Sequence, residues 1–202
     1  MTRVVFFDLG KVLLNFDWMV ASKKAVAQCE ADPLTMVRWI TTSRHTHDYE
    51  CGRLTSRQFF EHARTAIGFR GGFEEFTELW SDIFTEIPET IALVRELKGR
   101  VPISLLSNTN EMHMDWVMAR WDFMQLFDDM VLSFREGFAK PEPEIYRRAL
   151  AMLSVDPAEA FFVDDRPENV TGALAVGMDA VPFTDAAALK SALVERGLLA
   201  RQ

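Results

Sequence analysis

Two rhythms of apolar and polar positions run along the chain. Val4–Phe7, Val101–Leu106, Met130–Ser133 and Ala160–Val163 are short, mainly apolar runs rich in β-branched or aromatic residues. Such runs predict strands covered on both faces of a parallel sheet, and Asp179–Phe183 reads as a fifth. Between them apolar residues recur at helical spacing. Pro88–Lys98 carries Ile91, Leu93, Val94 and Leu97, and Glu111–Phe123, Glu142–Leu153, Arg166–Gly177 and Ala186–Glu195 follow the later runs. This alternation predicts an α/β fold, a Rossmann-like doubly wound parallel sheet.

The stretch between the first run and Pro88 reads differently. Aromatic residues such as Trp18, Trp39, Phe60, Phe76 and Trp80 fall at mostly helical spacings, with no strand pattern. Breaks at Asp32-Pro33, at Gly52 with Thr55, and from Gly68 to Gly72 divide it into about four helices. Residues 16–86 are therefore expected to form an inserted helical subdomain, with 1–15 and 87–202 making the sheet core. Its aromatic residues read as packing.

A length of 202 residues suits one core domain with such an insertion. The formal charge of -8 and pI near 5.1 speak against nucleic acid or an anionic membrane as the partner, since either selects a basic face. An anionic ligand would need a locally positive site. Cys29 and Cys51 have no metal-like spacing and read as free thiols of a reduced, cytoplasmic protein, a disulfide between them being the alternative. Asp8 breaks the apolar start too early for a signal peptide, and no window reaches the length of a membrane span.

Candidate chemistry collects at the strand ends, where ligands gather in sheets of this kind. Asp8 ends the first run in FFDLGKV, and Ser107, Asn108 and Thr109 end the second in LLSNTN. There, helix capping is the competing explanation for any single residue. Lys140 precedes Pro141 in AKPEPEIY, which holds the lysine extended and marks a helix start. Asp164 and Asp165 stand together in FFVDDRPEN, with Asn169 one turn later. Adjacent carboxylates repel unless a cation lies between them, and with Asp8 they make an oxygen-rich set suited to Mg²⁺.

These four motifs, in this order, resemble those of the haloacid dehalogenase superfamily, and the helical insertion lies where that family places its type 1 cap. Within it the chain is most similar to α-D-glucose-1-phosphate phosphatases, and also to the phosphatase domain of soluble epoxide hydrolases. The resemblance implies a phosphatase acting on a small phosphorylated metabolite, a sugar phosphate in particular, through an aspartyl phosphate on Asp8. It implies Mg²⁺ held by Asp8, the Gly10 carbonyl and Asp165, with help from Asp164. Ser107 and the Asn108 backbone would bind phosphate oxygens, Lys140 would neutralise charge on phosphate and Asp8, and Asn169 would support the ligands.

One position departs from the family. Most of its phosphatases carry a second aspartate, the general acid, where this chain has Gly10. The loss is tolerable if the leaving group is good, as in a sugar 1-phosphate, or if the cap supplies the proton. RHTHDYE offers His45, His47, Asp48 and Glu50, against the simpler view of an exposed polar helix end. Two other functions compete. A 2-haloacid dehalogenase also lacks the second aspartate but needs no metal, and a non-catalytic phosphate-binding protein would have lost turnover with its acid.

Overall fold

The computed structural model describes residues 1–200. Strand β1, Val4–Phe7, has all four residues buried. After a tight loop, β2, Leu14–Phe16, leads into five helices: α1, Trp18–Ala25; α2, Pro33–Thr42; α3, Arg44–Glu50; α4, Ser56–Ile67; and α5, Phe73–Ser81. Strand β3, Phe84–Glu86, leads out and pairs antiparallel with β2. The chain then runs through α6, Pro88–Leu97; β4, Ile103–Ser107; α7, Glu111–Arg120; β5, Asp129–Leu132; and the single turn α8, Ser133–Glu136. It ends with α9, Pro143–Leu153; β6, Ala160–Asp164; α10, Pro167–Ala175; β7, Asp179–Pro182; and α11, Ala186–Glu195.

Five strands form one parallel sheet in the order β5-β4-β1-β6-β7. Period-two alternation survives within the apolar runs. Val5 and Phe7 face a layer containing Val94 and Leu97 of α6, Val117 of α7 and Leu193 of α11. Val4 and Phe6 face the layer of α9 and α10, with Ile145, Ala149 and Ala173. Helices on both faces explain why these strands read as continuous apolar runs. The topology is the Rossmann-like α/β sheet with a helical cap that the sequence predicts.

The helical stretch has a core of its own, built from Phe59, Phe60, Phe76 and Trp80, with Met112 of α7 packed against it. Most predicted breaks are helix caps. Asp32 accepts hydrogen bonds from Leu34 N and Thr35 N, Thr55 forms a reciprocal capping box with Gln58, and Gly68 ends α4 at φ +64°, which favours glycine. The expected four helices are five, because Ser43 caps His45 N and separates α3 from α2. The strand pair β2–β3 is a further correction: three residues on each side are too few to show a period. The helix expected from Glu142 begins at Pro143, with Glu142 as its N-cap.

Candidate active site

Asp8 lies just past β1, with its N–H bonded to Val163 O of neighbouring β6. Its carboxylate is nearly buried, and three donors converge on one oxygen. Oδ1 accepts from Leu9 N at 2.8 Å and Ser107 Oγ at 2.8 Å, and meets Lys140 Nζ at 2.9 Å. Oδ2 takes none of these bonds. Burial pushes the Asp8 carboxyl up to about 6, against the pull of the Lys140 ammonium.

Lys140 is fully committed. Its ammonium donates to Leu106 O at 2.7 Å and Asp164 Oδ2 at 2.6 Å, besides the contact with Asp8. Three partners match its three donors. Asn108 holds the lysine backbone in both directions: Lys140 N donates to its Oδ1 at 2.8 Å, and its Nδ2 donates to Lys140 O at 2.9 Å. The Asn108 side chain is thus a clasp between two strand-end loops. Thr109 N donates to Ser133 Oγ, tying the same loop to the start of α8.

The adjacent aspartates have different surroundings. Asp164 is buried and accepts from Lys140, from Arg166 N at 2.9 Å and from Asn169 Nδ2 at 2.9 and 3.0 Å. Asp165 is half-buried and lines the cleft. Burial, then the charge of Asp164, raises its carboxyl above the usual range. Asp8, Asp164 and Asp165 each bring an oxygen within 4.8 Å of the others. One ammonium faces three carboxylates, so the set fits a divalent cation of the oxygen-seeking kind.

The cleft above this floor has a volume of about 500 Å³ and a wall made by the helical stretch. Trp18, Ile40, Thr46, His47 and Glu50 face it. His45 instead stacks on His62, with centroids 3.9 Å apart, and Asp48 pairs with Arg53 and Arg44. Helical phase makes this division: positions 47 and 50 share one face of α3. Burial pushes the Glu50 carboxyl up to about 7, opposed by the Arg166 guanidinium. Thr46 and Tyr49 are buried, so α3 is more than an exposed polar helix end.

Sequence reasoning passed over His113 and Phe16. His113, on α7, is buried and stacks on Trp80 with centroids 5.2 Å apart. Its Nε2 lies 3.1 Å from Trp80 O and its Nδ1 lies 3.0 Å from Asn110 Nδ2, an arrangement satisfied by the neutral ring protonated at Nε2. Burial pushes it down to about 3. Phe16 explains Gly10: a Cβ on Gly10 would lie 2.9 Å from Phe16 Cε1. That ring packs edge-on against Trp18 and Phe84. The position of the absent second aspartate is thus closed by an aromatic side chain. An aromatic residue beyond a tight turn was visible in the sequence, but its fold-back was not.

A sesquiterpene phosphatase of Aspergillus oryzae is 28% identical over 197 residues, covering 92% of each chain. A D-ribitol-5-phosphate phosphatase of Bacteroides thetaiotaomicron is 26% identical over 178 residues, covering 84% of this chain and 86% of its own. The crystal structure of a haloacid dehalogenase family enzyme from Bacteroides thetaiotaomicron, in complex with magnesium and inorganic phosphate, superposes with a TM-score of 0.80. It is 24% identical and covers 91% of this chain and 95% of that one, a likeness of fold. The profile of haloacid dehalogenase-like hydrolases matches residues 2–177, and with four strand-end motifs meeting beneath a helical cap, the chain belongs to that family.

Proposed function

We propose that this protein is a Mg²⁺-dependent phosphatase that hydrolyses a small phosphorylated metabolite, a sugar phosphate in particular, through an aspartyl phosphate on Asp8. The carrying observation is the division of labour around Lys140, whose ammonium holds Asp8 Oδ1 at 2.9 Å and Asp164 Oδ2 at 2.6 Å while Asp8 Oδ2 stays outside the network. The phosphatases among the relatives support the same reading. Residues 1–15 and 87–202 would supply the chemistry, and the cap of residues 16–86 would select the substrate.

In this reading Asp8 Oδ2 attacks phosphorus and the alcohol leaves, after which water hydrolyses the acyl phosphate. Ser107 and Lys140 hold Asp8 in place, the Lys140 ammonium offers positive charge to the phosphoryl oxygens, and the Asn108 N–H is a further donor. Asp8, the Gly10 carbonyl and Asp165 would hold Mg²⁺, and Asp164 would brace the set from behind. When bound, the ion screens nucleophile from phosphate and stabilises charge on the transferring group. Asn169 would orient Asp164 through its two hydrogen bonds.

Gly10 cannot move a proton, and we assign that task to Glu50. It faces the cleft, whereas His45 and Asp48 do not, and a carboxyl near 7 is matched to proton transfer at neutral pH. The test is Mg²⁺-dependent hydrolysis of p-nitrophenyl phosphate followed by a screen of sugar phosphates. Asp8→Asn should lower turnover on the order of 10⁴-fold or more. Wild-type protein that binds phosphate yet turns over no phosphomonoester would overturn the reading in favour of a binding protein, and release of halide from a 2-haloacid without Mg²⁺ in favour of a dehalogenase.

A further inference from the structure

A second cluster of ligating side chains lies at the edge of the same cleft, and the proposed hydrolysis makes no use of it. His47 on α3, Cys51 at its C-terminal end and Glu142 at the start of α9 each bring one ligand atom within 4.8 Å of the others. The cysteine spacing alone gave no metal signal, because the set is completed across the fold. His47 and Cys51 are four residues apart and share a helical face. Their Sγ–Nε2 separation is 3.7 Å. A tetrahedral ion bonded to sulfur at ~2.3 Å and nitrogen at ~2.05 Å sets that gap at roughly 3.6 Å.

These atoms are also uncommitted. The His47 ring contacts only the Cys51 sulfur among the side-chain hydrogen bonds of the described residues, and the Glu142 carboxylate makes no ion pair there. Glu142 and Asp48 place negative charge around the Cys51 sulfur, opposed by Arg53. We propose that His47, Cys51 and Glu142 form a binding site for a thiophilic divalent metal of the Zn²⁺ class, tying helix α3 to the loop that carries Lys140.

The donor set separates this site from the aspartate cluster. Mixed nitrogen, sulfur and oxygen ligands with one position left for water suit Zn²⁺, whereas Mg²⁺ takes oxygen ligands and stays with the carboxylates. Binding breaks the Cys51 S–H bond, forms a metal–sulfur bond and releases the proton to solvent, with no change of oxidation state. His47 faces the cleft and Glu142 stands two residues after Lys140. An ion between them pins the cleft wall to its floor, and slower turnover is the expected consequence. Binding itself is independent of the proposed phosphatase activity; only the inhibition rests on it.

The test titrates Zn²⁺, then Co²⁺, into the reduced full-length chain with Mg²⁺ in excess. One Zn²⁺ per chain should bind by calorimetry, and Co²⁺ should show a thiolate-to-metal charge-transfer band. Cys51→Ser should abolish the band, and Glu142→Gln should weaken binding by at least about tenfold. Both variants should keep the Mg²⁺-supported activity and lose its inhibition by Zn²⁺. A Co²⁺ spectrum without the band, or Zn²⁺ affinity unchanged in both variants, overturns the site. Equal Zn²⁺ inhibition of wild type and variants overturns the coupling to turnover. Glu142 is at the surface of a helix start, so Glu142→Gln carries the test if Cys51→Ser fails to fold.

Discussion

On the floor of the cleft, ionic groups are held by one another. Lys140 has a partner for each donor, Asp164 has four hydrogen bonds from three residues, and Asp8 has three contacts on one oxygen. On the wall, Glu50 and His47 reach into the cleft with few bonds of their own, carried by a helix of seven residues. The floor resembles a preorganised electrostatic site, which does chemistry common to many substrates. The wall can change sequence without dismantling that site. A chain that lacks the usual acid on its floor is therefore in a position to use one from its wall.

Lys140→Met tests the floor and should have the largest effect. It leaves Asp8 and Asp164 buried without their cation, which should cost about 3–5 kcal/mol in urea unfolding and abolish turnover of every phosphomonoester. Retained activity would show that the floor is less interdependent than its geometry implies.

Glu50→Gln tests the wall. Turnover of alkyl phosphates should fall ~10²–10⁴-fold, while p-nitrophenyl phosphate, whose leaving group needs no proton, should be spared. A general acid must be protonated, so wild-type activity on alkyl phosphates should decline as pH rises through about 7, relative to p-nitrophenyl phosphate. Equal losses on both substrates would assign Glu50 to binding instead.

Gly10→Asp asks whether the floor can recover its own acid. Alone it should destabilise by about 1–3 kcal/mol through overpacking against Phe16. Combined with Phe16→Ala it should raise turnover of alkyl phosphates relative to p-nitrophenyl phosphate, and in that background Glu50→Gln should matter less.

The smallest effect concerns the joint between the two regions. Burial pushes folded His113 down to about 3, against about 6.5 when unfolded, so the unfolded chain binds more protons between those values. Its contribution to stability is complete above about 6.5 and is lost as pH falls toward 3. His113→Gln should reduce the fall in melting temperature between pH 7 and pH 4.5 relative to wild type.

Much of the floor was legible because its members lie past apolar runs, Asp8, Ser107 and Asp164 at the run ends and Lys140 seven residues beyond Ser133. Asp8, Ser107, Lys140 and Asp164 needed only strand positions and the tendency of ligands to gather at carboxyl ends. The wall was less legible. RHTHDYE presents four proton donors with nothing local to rank them until the phase of α3 is known, although the three-residue spacing of His47 and Glu50 was a usable signal. His113 looked like any polar residue on a helix, and β2 and β3 were too short to announce themselves.

By itself the sequence determined the alternation of strands and helices, the identity of the strand-end acids and base, and the absence of a carboxylate at position 10. These follow from local periodicity, turn chemistry and side-chain type, which act over a few residues. Only the tertiary structure decided that Phe16 covers Gly10, that Asp165 and not Asp164 opens to the cleft, and that His47 and Cys51 meet Glu142. Those relations join residues brought together by packing across the fold, and no spacing along the chain encodes them.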